Sequence, residues 1–198
     1  MLHSMFSMKY MAVIQLMLNK MISSTITRHI ALFAVIVINL SFVSNTYANE
    51  INTLKVIKTI YLIRHAEKEK GHSNNPDLTE KGRSRANNLA EMLKNKNIEI
   101  IYSTQYARTM QTASPLAKEL GLTIQNYDPR KLKEFSESLI AKQGNILIVG
   151  HSNTTPTLVQ LLGGNAGDKI NESEYNRVYK LIINETEVVT ELLRSSSL

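Results

Sequence analysis

The sequence predicts an α/β domain of three layers, α/β/α, with a largely parallel sheet and a C-terminal edge hairpin. Three observations carry this. Apolar runs at residues 59–63, 98–102 and 145–149 lack strict polar alternation, as strands buried on both faces do. The stretches between them carry apolar residues at helical spacing, and strands alternating with helices make a layered domain. Two final runs, 178–183 and 188–193, flank the polar turn Asn184-Glu185-Thr186 and read as a hairpin.

The chain has 198 residues, a formal net charge of +6 and no cysteine. Disulfides, thiolate metal sites and a cysteine nucleophile are therefore excluded. Residues 1–48 read as a leader and 49–198 as the folded domain. Residues 30–43 form a continuous apolar segment behind Arg28, and Thr46-Tyr47-Ala48 offers small residues where a signal peptidase cuts. Counted from Met21, the leader has ordinary signal-peptide length. The expectation is a periplasmic or secreted protein, with an uncleaved membrane anchor as the alternative. Removing Lys9, Lys20 and Arg28 from the 23 basic residues leaves 20 against 17 acidic ones, a net +3. That modest excess favours a small anionic partner and argues against nucleic acid.

The elements follow in order. After the first strand, residues 67–77 form a charged loop with Lys68, Lys70 and His72, ended by Pro76. Thr79 is a good N-cap for a helix that turns Ala86, Leu89, Ala90 and Leu93 inward. The strand at 98–102 leads to a helix carrying Met110, Ala113, Ala117 and Leu120, closed by Gly121, with Pro115 expected to kink or interrupt it. Residues 122–125 make a short strand at best. A third helix from Pro129 turns Leu132, Phe135, Leu139 and Ile140 inward. The strand at 145–149 precedes a helix with Pro156 in its first turn and Leu158, Val159, Leu161 and Leu162 on it, stopped by Gly163-Gly164. Residues 165–176 form a polar loop.

Chemistry gathers at strand ends, where open α/β sheets bind ligands. Arg64-His65 follow the first strand, Arg108 the second, and His151 the strand at 145–149. Parallel strands bring these ends together, and two arginines with two histidines make an anion pocket, phosphate above all. Tyr61, Tyr102 and Tyr106 read as core or pocket wall.

Four motifs in register, Arg64-His65-Ala66-Glu67, Leu78-Thr79-Glu80-Lys81-Gly82, residues 103–113 and Gly150-His151-Ser152, resemble the histidine phosphatase superfamily, branch 1, of phosphoglycerate-mutase-like fold. The resemblance covers about residues 58–164. It implies that His65 becomes phosphohistidine, with Arg64, Arg108 and His151 clamping the phosphate and Thr104 as an extra contact. It implies a proton donor after the second arginine: Asp128, with Glu134 as the alternative. Asp128 also fits the N-cap of the helix from Pro129, and Glu67 is a further donor candidate that reads first as a solvated loop charge. No cofactor and no metal are implied, and the partner is a small phosphorylated substrate, such as a sugar phosphate or an envelope glycan phosphate. Ala66 stands where many members have glycine, and the mutases' substrate asparagine and long insertions are missing. These departures favour a phosphatase over a phosphotransferase of the mutase kind. A phosphate-binding pseudoenzyme is the non-catalytic alternative.

Overall fold

The computed structural model describes residues 13–20, 58–71 and 73–196, and the chain divides into two compact units, Met1–Leu54 and Lys55–Leu198. In the first unit residues 13–20 form a helix, α1. The expected leader cleavage region, the start at Met21 and His72 lie outside the described residues. Among the described residues no helix is long and apolar enough to cross a membrane.

The second unit runs β1 (Lys58–Arg64), α2 (Glu80–Leu93), β2 (Ile98–Ser103), α3 (Ala107–Leu120), β3 (Ile124–Asn126), α4 (Leu132–Ile140), β4 (Asn145–Gly150), α5 (Thr154–Leu161), β5 (Arg177–Ile183) and β6 (Val188–Arg194). The six strands form one sheet in the order β3-β2-β4-β1-β5-β6. β3, β2, β4 and β1 are parallel, while β5 and β6 are an antiparallel hairpin at one edge. β1 therefore has a parallel neighbour on one side and an antiparallel one on the other.

Period-two alternation assigns the strand side chains to two cores. Ile60, Leu62, Ile146 and Ile148 meet Leu139 of α4 and Leu158 and Val159 of α5. Tyr61, Ile63, Leu147 and Val149 meet Leu89 and Leu93 of α2 and Ala113 and Leu116 of α3. Buried Lys58 donates from Nζ to the carbonyls of Leu139, Ile140 and Lys142 at 2.7, 2.7 and 3.0 Å, satisfying the end of α4 where its own hydrogen bonds run out.

Several details differ from the sequence reading. α3 runs through Pro115 without a break, because Ala113, Leu116 and Ala117 are buried around it and hold it across the missing hydrogen bond. Ile140, expected inward, is 63% exposed at the end of its helix. The N-cap of α4 is Lys131 rather than Asp128.

The motif at 78–82 has a packing reason. Thr79 caps α2 through Gly82 N–H at 3.0 Å, and a Cβ on Gly82 would stand 2.1 Å from the Glu67 carbonyl oxygen. Only glycine lets α2 approach the segment that follows β1 so closely. Gly82→Ala should cost about 1–3 kcal/mol of stability, by chemical denaturation, because the backbone at Glu67 has to move.

Candidate active site

The carboxyl ends of β1, β2 and β4 build one cluster. Register pairs Arg64 with Gly150, and the His65 backbone N–H donates to the Gly150 carbonyl at 2.9 Å. Gly150 has no room for a side chain, since a Cβ there would stand 2.7 Å from the Tyr127 hydroxyl. The imidazoles of His65 and His151 consequently lie 5.6 Å apart, edge to face.

His65 is buried, and its Nδ1 is 2.8 Å from the Ala66 carbonyl. A carbonyl only accepts, so Nδ1 carries the proton and Nε2 keeps its lone pair. Burial foremost, and then the positive charges of Arg64 and Arg108 against the opposing Ala66 hydrogen bond, depress its pKa to about 3. Burial and the same two arginines bring His151 to about 4. Both rings are neutral near pH 7, which is how four cation-capable groups share one pocket.

Thr104 is fully buried, and its hydroxyl lies 3.1 Å from His151 Nε2 and 2.9 Å from the Thr109 hydroxyl. Thr104, expected as a phosphate contact, touches His151 directly. Arg108 Nη2 reaches His151 Nδ1 only at 3.5 Å, and its guanidinium lies 4.4 Å over the Tyr106 ring. α3 is tied to the neighbour of His65 through Thr112, whose hydroxyl accepts from Ala66 N–H at 3.0 Å and donates to the Arg108 carbonyl at 2.7 Å.

Arg64 is more committed than the sequence suggested. Its Nη1 donates to the carbonyls of Asn171, Glu172 and Glu174, its Nη2 to Glu172 Oε2 at 3.0 Å, and its guanidinium stacks 4.2 Å over Tyr175. The Nε atoms of Arg64 and Arg108 are both buried without a hydrogen-bond partner. A buried donor left unmet costs about 1–3 kcal/mol, so two of them in one cluster suit an anion.

The carboxylates singled out from the sequence have partners of their own. Asp128 accepts from the Arg130 side chain at 3.0 and 2.9 Å and from its backbone N–H at 2.9 Å, which holds its pKa at about 2. So paired, the Asp128 carboxyl is ionised at neutral pH. Glu134 pairs with Lys131 at 3.8 Å and is exposed. Glu67, read as a solvated loop charge, instead makes a two-pronged pair with Arg85 at 2.9 and 2.7 Å. Burial raises its pKa, and the Arg85 hydrogen bonds more than offset this. Glu172 and Tyr175 were not singled out from the sequence. Both lie in a polar loop without periodicity, and only the fold carries them to Arg64. Among the described residues no group of three or more His, Asp or Glu side chains is arranged to hold a metal ion.

The model of the histidine phosphatase superfamily, branch 1, matches residues 60–137. The match supports the superfamily. "Probable phosphoglycerate mutase GpmB" of Yersinia pestis is 36% identical over 88 residues, spanning 41% of this chain and 40% of that mutase. The same figures hold for its Yersinia pseudotuberculosis counterpart. Among solved structures, the protein histidine phosphatase SixA complexed with tungstate superposes with a TM-score of 0.58 at 16% identity, over 69% of this chain and 96% of that one. A mycobacterial glucosyl-3-phosphoglycerate phosphatase gives 0.55 at 13%, over 70% and 99%. Phosphoserine phosphatase from Entamoeba histolytica, in complex with 3-phosphoglyceric acid, gives 0.53 at 15%, over 70% and 98%. At such identities these likenesses establish the α/β fold that this chain shares with its neighbours.

The depressed histidine pKa values predict a pH dependence. Between pH 6.5 and the folded values, an unfolded chain takes up protons at His65 and His151 that the folded chain refuses. Stability is then fully present above about 6.5 and lost as pH falls, at about 1.4 kcal/mol per unit per histidine. Urea denaturation at pH 7 and pH 5 should show a fall that is smaller by about 2 kcal/mol in His65→Gln.

Proposed function

We propose that the protein is a metal-independent phosphatase that hydrolyses phosphomonoesters through phosphohistidine on His65. The observation that carries this is the His65 ring: neutral, protonated on Nδ1, and set beside His151 among two arginines with unmet buried donors. The His65 Nε2 lone pair forms the bond to phosphorus as the ester P–O bond breaks, and the leaving oxygen takes a proton from a carboxyl group. Water then attacks phosphorus, the P–N bond breaks back to neutral imidazole, the carboxylate recovers the proton, and inorganic phosphate leaves. Arg64 and Arg108 offset charge on the phosphoryl oxygens, and Thr104 keeps His151 turned into the cluster.

The superfamily's phosphatase and mutase relatives support phosphatase or phosphotransferase chemistry. Hydrolysis is preferred because the chain lacks the mutases' substrate asparagine and insertions. Two carboxyls are weighed as the proton donor. Asp128 lines a cavity together with Tyr106, and Glu172 contacts Arg64 directly. Bound phosphate favours protonation of a neighbouring carboxyl by like charge. The apolar segment at 30–43 adds the proposal that the enzyme works in the periplasm or outside the cell.

Turnover of p-nitrophenyl phosphate by the full chain should survive a chelator and disappear in His65→Ala, and Arg108→Ala should lower kcat/KM about 10²–10³-fold. Loss of activity on chelation would reject the metal-independent route. Asp128→Asn and Glu172→Gln, compared across leaving groups, assign the donor: its removal hurts alkyl phosphates most and p-nitrophenyl phosphate least.

A further inference from the structure

Beside the cluster lies a cavity of about 720 Å³ that neither the nucleophile nor the clamp occupies. Such a volume is in the range that holds a small ligand, about 300–1,000 Å³. Tyr106 joins it to the chemistry: its ring lines the cavity, lies under Arg108 at 4.4 Å and meets the His151 ring at 5.1 Å. Tyr106 is 39% exposed, so an aromatic surface is open to a ligand next to the phosphate clamp.

The remainder of the lining is rich in carboxamides: Asn74, Asn75, Gln105 and Asn126. Among the described residues only Asn75 of these is engaged, its Oδ1 accepting from Ala107 N–H at 2.7 Å. A carboxamide donates and accepts together, as a hydroxyl does, so a ring of them fits a molecule covered in hydroxyls. The charged residues here cancel, because Arg130 is paired to Asp128 at 2.9 Å. An anionic leaving group would find no free cation on this wall, and a neutral polyol would find amide partners and an aromatic platform.

We infer that this cavity is the leaving-group subsite and that it takes the sugar moiety of a glycosyl or hexose phosphate. The inference rests on the phosphatase reading for its phosphate end and on the cavity lining for its sugar end. It separates the substrate from phosphoglycerate, whose carboxylate would meet no unpaired cation here.

Binding to the full chain carrying His65→Ala tests this without turnover, by calorimetry with glucose 6-phosphate, inorganic phosphate and 3-phosphoglycerate. Glucose 6-phosphate should bind at least tenfold more tightly than either of the others. Adding Gln105→Ala and Asn126→Ala should cancel most of that advantage, with inorganic phosphate as the internal reference for an intact clamp. Equal affinities, an advantage that survives loss of both amides, or tighter binding of 3-phosphoglycerate or of a phosphohistidine-bearing protein domain would overturn the inference. Turnover of p-nitrophenyl phosphate by the unsubstituted chain is judged separately. If that ester is untouched while the binding pattern holds, the phosphatase reading falls and the subsite stands.

Discussion

One backbone contact governs the site: the His65 N–H donating to the Gly150 carbonyl where β1 and β4 run side by side. It extends the parallel ladder by one step and fixes the spacing of the two imidazoles. The surroundings protect that step. Gly150 offers no Cβ to push Tyr127 away, and the Thr155 hydroxyl reaches back to the Ile63 carbonyl at 3.3 Å. A side chain at Gly150 or a register slip between the strands would part the histidines and leave the arginines without a common target.

The electrostatics follow from that crowding. Four cation-capable groups coexist because two are kept neutral by burial and by the other two. The arginines are held differently. Arg64 is fastened by three loop carbonyls and a tyrosine face, which leaves it little freedom. Arg108 has a tyrosine face and one long contact to His151, and burial depresses its pKa. Arg64 thus has more direct partners than Arg108.

The fold was largely legible in the sequence because its signals are local. Uninterrupted apolar runs gave the strands, and Thr79 and Gly121 marked helix ends that the structure has, the latter at φ +65°. The convergence of Arg64, His65, Arg108 and His151 was legible because parallel strands share a direction. What escaped depends on tertiary contact. Ile140 was assigned inward by periodicity, yet it sits where α4 runs out of sheet. Glu67 looks like a loop charge until Arg85, on α2, folds against it. Glu172 and Tyr175 belong to a loop without a pattern, and their place beside Arg64 comes from its path across the strand ends.

β1 has its own consequence for how the molecule assembles. The strand that leads into His65 pairs with residues 146–150 on one side and 178–183 on the other, and each is far along the chain. Such distant pairings carry a large loop-closure cost and form slowly. The apolar strand stays unpaired on both edges until residues 146–150 have emerged, so during synthesis this segment is where self-association or a chaperone would take hold.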